Sequence, residues 1–183
     1  MLTRSEALGI VLEHVKNDVL VKHMIAVGAI MRGLAKRFGE DPGLWELVGI
    51  LHDVDFEEIG QDFARHGALS AEIVKGMLPE DGLHAIRAHN PQTGSLPESR
   101  MDLSLYSADA LSGLVIAMAL MVQDRKVANV KVASLVKRMK DKSFARNVNR
   151  ENIQRCSEIG LSLEEFLGIG LASMQETAVE LSL

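Results

Sequence analysis

The apolar positions of this chain recur mostly at helical spacing, and the alternating pattern of a half-buried strand is nearly absent. Capping signals mark where helices begin. The residues Thr3–Glu6 have the form of a capping box and predict a first helix. Asn17 or Asp18 can cap a second helix, which we expect to end at Phe38 because Gly39 follows it.

Proline residues and an N-capping aspartate predict the other helix boundaries. Asp41 and Pro42 supply an N-cap and a first-turn proline, whereas Pro91 prevents continuation of a helix and makes 90–99 a predicted loop. The remaining predicted helices span roughly 42–53, 66–77, 79–89, a long segment from Ser99 that carries Asp109, 130–140, 149–159 and 162–181. The predicted fold class is all-α, with about eight to ten helices.

Length and composition indicate one ordinary globular domain over 1–183, with 47% hydrophobic and 25% charged residues. Aromatic residues make up 4%, which argues against a stacking platform for single-stranded nucleic acid. Cys156 is alone, so neither an intramolecular disulfide nor a thiolate metal site is predicted. The N-terminus lacks the apolar core of a signal peptide, and the strongest apolar run, Leu111–Val122, is too short to span a bilayer. We therefore expect a cytoplasmic protein with no membrane association.

The net charge of −5 is unevenly distributed along the chain. Between Arg125 and Arg155 there are ten Lys or Arg residues and two acids. This basic stretch is either a solvated helix surface or a means of attracting an anionic substrate. The acidic total argues against non-specific nucleic-acid binding as the main role.

Polar residues interrupt three apolar stretches. His23 lies in the apolar segment 19–27, the pair His52-Asp53 follows the apolar run 47–51, and Asp109 is the only charged residue between Leu103 and Gln123. A buried carboxylate or imidazole without a partner costs several kcal/mol or gives up its charge. One divalent cation would satisfy all four groups.

This pattern resembles the HD superfamily of metal-dependent phosphohydrolases, which is named for its His-Asp pair. The matching positions are His23, then His52-Asp53, then Asp109, within 18–115. The resemblance implies an all-helical bundle over this core, with the C-terminal helices of 130–181 packed on it. Two imidazoles and two carboxylates suit Mn, Fe, Zn, Ni, Co or Mg.

The reaction that the resemblance implies is hydrolysis, by a metal-activated water, of a phosphomonoester or phosphodiester of a small metabolite or nucleotide. In that reaction Asp53 and Asp109 would orient or deprotonate the water. Some HD enzymes bind a second ion through further histidines. His66 and His89 are the candidates here, with Asp53 bridging the two ions, whereas His84 and His14 are predicted to be surface residues. The cyclic-dinucleotide branch carries a His-His pair and a Gly-Tyr-Pro segment, neither of which occurs in this chain.

Substrate phosphates need cationic partners outside the metal ligands. Lys142 and Arg146 lie four residues apart on a predicted short helix that would face the site, and Arg65 adjoins His66. Long basic side chains more often cover surface. The acids Asp55, Glu57 and Glu58 are either a general acid or, as the favoured interpretation, an exposed acidic loop.

Two other functions remain open at the level of sequence. The order His, His-Asp, His, His, Asp also resembles HD-type di-iron oxygenases, which cleave carbon–carbon or carbon–phosphorus bonds with dioxygen. A non-catalytic nucleotide- or metal-binding regulatory module would use the same pocket. The amphipathic C-terminal helix suits a core or a homodimer interface equally well.

Overall fold

A computed structural model describes residues 2–183, and within that range regular structure consists of helices alone. The predicted all-α fold class is confirmed. The ten α-helices of the described residues are α1 Arg4–His14, α2 Asp18–Phe38, α3 Pro42–Leu51, α4 Ala68–Ile73, α5 Glu80–Ala88, α6 Arg100–Met121, α7 Val132–Met139, α8 Arg150–Gln154, α9 Leu163–Glu176 and α10 Ala178–Leu181.

Local capping explains most of the boundaries. Thr3 and Glu6 form the predicted capping box, and the Asn17 side chain accepts a hydrogen bond from the Val19 amide at the start of α2. Gly39 ends α2 in the left-handed conformation, with φ of 72°. The boundaries of the first two helices therefore follow from residues that are adjacent in sequence.

The predicted helix over 66–77 is wrong in its length, because α4 covers only Ala68–Ile73. Gly67 adopts a φ of 82° immediately before it, so residues 66 and 67 belong to the preceding loop. Two other predicted helices are interrupted. The segment 149–159 changes to a 3-10 helix at Arg155, and the segment 162–181 breaks at Thr177 between α9 and α10.

The helices α2 and α3 pack directly against each other and position part of the site. A Cβ atom on Gly49 would lie 2.7 Å from the Cα of Gly28, so the two backbones are in direct contact. On its other sides α2 packs against α6 and α9. One hydrophobic core extends from Ala7 in α1 to Leu181 in α10, so the C-terminal helices share the core of the motif-bearing helices.

The helix α6 crosses the bundle and includes most of the apolar run noted in the sequence. At 22 residues it is, in the described part of the chain, the one helix long and apolar enough to cross a membrane by length and composition. The apolar run 111–122 is too short to span a bilayer by itself, as predicted from the sequence, but the whole helix is longer than that run. Of its most apolar window, 56% is buried inside the protein, as in the core helix of a globular protein. The cytoplasmic location stays a prediction.

Candidate metal centre

The side chains of His23, His52, Asp53 and Asp109 converge from three helices. His23 is on α2, the pair follows the last turn of α3, and Asp109 is midway along α6. The Nε2 atom of His23 lies 3.1 Å from Oδ1 of Asp109 and 3.5 Å from Oδ2 of Asp53. The Nε2 atom of His52 lies 3.9 Å from the same oxygen of Asp109. The structure thus brings together the four residues that the apolar pattern had singled out.

His66 and His89 join this cluster on the other side of Asp53. Oδ1 of Asp53 lies 3.2 Å from Nε2 of His52, and 3.3 Å from Nε2 of both His66 and His89. The Nε2 atoms of His66 and His89 are 3.1 Å apart. Asp53 therefore presents one oxygen to His23 and the other to the imidazoles of His52, His66 and His89.

Two buried atoms of the cluster lack a hydrogen bond. His52 Nε2 and Asp53 Oδ1 are enclosed by protein, and neither has a correctly oriented hydrogen-bond partner in the described residues. Leaving such atoms unpaired costs roughly 1–3 kcal/mol each. A cation between them would remove this penalty, and imidazole nitrogen with carboxylate oxygen is a suitable donor set for a divalent transition metal. The residues present therefore fit the ion that the sequence implied.

Each of the four histidines uses its other ring nitrogen, Nδ1, to bind an acceptor within the protein. The Ser112 hydroxyl donates to the carbonyl of Asp109, so its oxygen accepts from His23. The four acceptors are Ser112 Oγ for His23, the Gly49 carbonyl for His52, Asp55 Oδ1 for His66 and the Ile86 carbonyl for His89. With a proton on every Nδ1, each Nε2 lone pair is directed into the cluster, as metal-binding histidines require.

Asp55 has a positioning role that the sequence did not reveal. The favoured interpretation, an exposed acidic loop, is wrong for Asp55, which is fully buried. Its Oδ1 accepts from His66 at 2.8 Å, and its Oδ2 accepts from the amides of Gly67 and Ser70 at 2.7 and 2.9 Å. Asp55 thereby holds the imidazole of His66 in a fixed orientation relative to the start of α4. The interpretation holds for Glu57, whose exposed carboxylate accepts from backbone amides at the N-terminus of α2.

The charges of the cluster compensate one another in the metal-free chain. Burial by itself would lower the pKa of His23 and of His66, but hydrogen bonds and ion pairs with aspartates raise both pKa values to about 10. Burial would likewise raise the pKa of Asp53, yet the charge of His52 and the neighbouring imidazoles hold it well below its usual range. The pKa of Asp109 is lowered by His23 and His52 in the same way. Protons thus occupy the positions that a cation would take.

The other histidines lie outside the cluster. His84 is partly buried and contacts the buried Asp102 at 3.0 Å, so the predicted surface position is only partly right. His14 is also partly exposed and lies 3.7 Å from the carboxylate of Glu58. Neither side chain contacts a residue of the cluster.

The candidate phosphate-binding residues are all exposed. Arg65 precedes His66 in the loop before α4. Lys142 and Arg146 lie in a series of turns, so the predicted short helix is wrong. The left-handed conformation of Ala145, with φ of 43°, is incompatible with a continuous helix there. Their role in substrate binding stays a prediction.

A family comparison agrees with the geometry. The model of the HD domain family matches residues 20–114, which is just over half of the chain and includes all six residues of the cluster. No curated protein and no solved structure matches the chain significantly. The order, spacing and convergence of the His and Asp residues and the helical fold all agree with this match. The chain therefore belongs to the HD-domain superfamily of metal-dependent phosphohydrolases.

Proposed function

We propose that this protein is a metal-dependent phosphohydrolase that cleaves a phosphomonoester or phosphodiester of a small metabolite or nucleotide. The observation that carries the proposal is the convergence of His23, His52, Asp53 and Asp109 with two unpaired buried atoms at its centre. His66 and His89 lie on the far side of Asp53, where they would hold a second ion. The HD family membership supports the same assignment.

A bound divalent ion would supply a Lewis acid that lowers the pKa of a water molecule and neutralises charge on the phosphoryl group. The cluster opens on the side of Asp109, whose side chain is 36% exposed. A cavity of about 250 Å³ lies there, lined by His23, Asp109 and residues of α6 and of the segment before α8. Because the pKa of Asp109 is lowered, its carboxylate is ionised and would accept a hydrogen bond from a water molecule bound in this cavity.

Asp109 would orient the attacking water for an in-line approach to phosphorus. The water oxygen forms the new bond to phosphorus while the bond from phosphorus to the ester oxygen breaks. One water proton passes to solvent, and the leaving oxygen takes up a proton, so that the net products are an alcohol and inorganic phosphate from a phosphomonoester, or an alcohol and a phosphomonoester from a phosphodiester. His52 and Asp53 are too enclosed to contact the substrate's leaving group and would serve to hold the ion.

A second candidate is an HD-type di-iron oxygenase, and the three imidazoles around Oδ1 of Asp53 favour it. Such an enzyme would purify with iron and consume dioxygen in the presence of an organic substrate. The exposed basic side chains of Arg65, Lys142 and Arg146 and the cavity at Asp109 support the hydrolase more directly. A regulatory module that binds a nucleotide or metal without turnover would release no phosphate with any metal.

The decisive experiment combines elemental analysis with a hydrolysis screen in Mn, Co, Ni and Mg, which measures phosphate release from nucleotides and sugar phosphates and alcohol release from phosphodiesters. The variant Asp53→Ala should lose both the bound metal and turnover, because it removes the carboxylate shared by both sides of the cluster. Its circular dichroism should remain helical. His14→Ala, a histidine outside the cluster, is the matched control and should keep both properties. An Asp53→Ala protein that stays metal-loaded and active would refute the assignment.

A further inference from the structure

Two cavities meet at the segment that precedes α8. The first, of about 250 Å³, contains His23 and Asp109 of the candidate metal centre. The second, of about 210 Å³, contains Lys142, Arg146 and Arg150. Val148 and Asn149 line both cavities, so the two cavities adjoin at this segment, which forms a wall of each. This wall lies outside the residues 20–114 that match the HD family.

A single arginine holds this wall in place. Both terminal nitrogens of Arg150 donate to backbone carbonyls of the preceding turns, at 2.6 Å to Ala145 and 2.7 Å to Val148, and further to Asp141 and Phe144. These bonds satisfy carbonyls that no helix or strand would otherwise pair. Because its terminal nitrogens are engaged in this way, Arg150 positions the turn and is not the group that binds an anion.

The side chains that remain available in the second cavity are cationic. Lys142 and Arg146 are exposed, and among the described residues neither makes a side-chain hydrogen bond or an ion pair. Glu151 is the acid that also lines this cavity, so the charge of its wall stays positive. Partnerless cations beside a metal-binding cavity attract an anionic group of a ligand.

Uncharged amides line the cavity nearer the metal centre. Asn147 and Asn152 both line it, and their side chains have no hydrogen-bond partner in residues 2–183. The side-chain Oδ1 of Asn149 accepts hydrogen bonds from the backbone amides of Glu151 and Asn152 and so caps α8. This leaves the side-chain NH2 group of Asn149 available. Amides of this kind bind hydroxyl or carbonyl groups of an uncharged portion of a ligand.

We propose that the segment 141–152 selects phosphate esters that carry a second anionic group. The reacting phosphate lies beside His23 and Asp109, an uncharged polar portion lies along Asn147 and Asn152, and the second anion binds Lys142 and Arg146. This substrate class rests on the proposed hydrolase function and deepens it. A sugar bisphosphate and a nucleoside bisphosphate share the required chemistry.

The test compares matched substrates that differ by one phosphate: fructose 6-phosphate with fructose 1,6-bisphosphate, and adenosine 5'-monophosphate with adenosine 3',5'-bisphosphate. The Mn-loaded wild type should show a KM about tenfold lower for at least one bisphosphate, equivalent to about 1.4 kcal/mol. The double variant Lys142→Gln/Arg146→Gln should lose this preference through KM, with kcat within about twofold. No preference in the wild type for either bisphosphate would overturn the proposal.

The control removes the same charge elsewhere on the basic stretch. Lys131 and Lys137 are exposed and lie outside both cavities, so Lys131→Gln/Lys137→Gln should keep the preference for the bisphosphate. Equal loss in both double variants would mean a general field effect and would refute a localised subsite. Asn152→Ala should raise KM for both members of a pair by about threefold to tenfold and leave their ratio unchanged.

The failure of the proposed function gives a different result from the failure of the subsite. If the full screen detects no hydrolysis of a phosphomonoester or a phosphodiester, the hydrolase assignment fails, and calorimetry of the same pairs with Mn-loaded protein decides the subsite by affinity. Tighter binding of a bisphosphate that is lost in Lys142→Gln/Arg146→Gln supports the subsite. Equal affinity for both members of each pair rejects it.

Discussion

At the scale of single residues, the centre depends on which nitrogen of each imidazole carries a proton. All four histidines bind an acceptor through Nδ1, and these acceptors are two backbone carbonyls, one hydroxyl and one buried carboxylate. The Nε2 atoms are thereby oriented before any ion arrives, which reduces the cost of ordering the ligands. Ser112 and Asp55 contribute to this order although neither lies within the cluster itself.

Metal binding should release protons. With pKa values of about 10, His23 and His66 are protonated at pH 8 in the metal-free protein, whereas a metal ligand must be neutral. Binding of divalent ions at pH 8 should therefore release about two protons, and affinity should rise with pH. Calorimetry in two buffers with different ionisation enthalpies measures this number. Binding heats that are independent of the buffer would contradict it.

The same shifts set the pH dependence of metal-free stability. A histidine whose pKa is raised on folding contributes stability that is fully present below its unfolded value of 6.5 and is lost as the pH rises to about 10. The aspartates whose pKa values are lowered contribute stability above their unfolded value of 3.8, which is lost on acidification. We therefore expect the metal-free protein to be most stable between the two unfolded pKa values, that is, between pH 3.8 and pH 6.5.

At the scale of elements, the distance between α2 and α3 decides whether His23 and His52 share a cation. The close approach is made possible by glycine on both helices, since a Cβ atom on Gly49 would lie 2.8 Å from the Gly28 nitrogen. The carbonyl of Gly49 also accepts the hydrogen bond from His52. Helix packing and ligand orientation therefore depend on the same residue.

Substitution of this glycine should affect stability and metal binding together. Gly49→Ala places a methyl group against backbone atoms that cannot move aside, so we expect a loss of roughly 1–3 kcal/mol in the free energy of unfolding and weaker metal binding. Gly9→Ala is the control, because a Cβ atom on that α1 residue meets nothing within 4 Å. It should be neutral or stabilising by up to about 1 kcal/mol. Urea denaturation and a metal titration check both variants, and a Gly49→Ala protein as stable as the wild type would refute the packing argument.

At the scale of the whole molecule, a bound ion would cross-link segments that lie far apart in the chain. The candidate ligands span positions 23 to 109 and lie on α2, directly after α3, in the loop before α4, directly after α5 and on α6. The C-terminal helices pack on the same core, and the turns before α8 complete the cavity at Asp109. Binding of an ion at the centre should therefore stabilise the bundle as a unit.

The ion should raise the melting temperature strongly. Metal at about a thousand times its dissociation constant stabilises by about 4 kcal/mol, which corresponds to roughly 8–16 °C for a protein of this size. A thermal scan with Mn and with chelator measures the shift. The shift should be absent in Asp53→Ala and retained in His14→Ala, and an equal rise in Asp53→Ala would place the ion elsewhere.

Much of this protein was predictable because the relevant signals are local in sequence. Helix periodicity, the capping box at Thr3 and the glycine after Phe38 act over a few residues, so the all-α class and the boundaries of α2 follow directly from the chain. His23 and Asp109 stood out because a polar residue in an apolar stretch is costly without a partner. The six candidate ligands could thus be named from their residue types, spacing and family resemblance.

Tertiary structure alone decided what depends on partners distant in the chain. Asp55 is buried because His66 and the start of α4 surround it, and the turns at Lys142 are held by Arg150 through several carbonyls. No periodicity encodes such contacts, since each arises only when separate segments pack together. The sequence determined which elements and candidate ligands this protein has, and the packing of those elements determined where the site opens and which side chains line it.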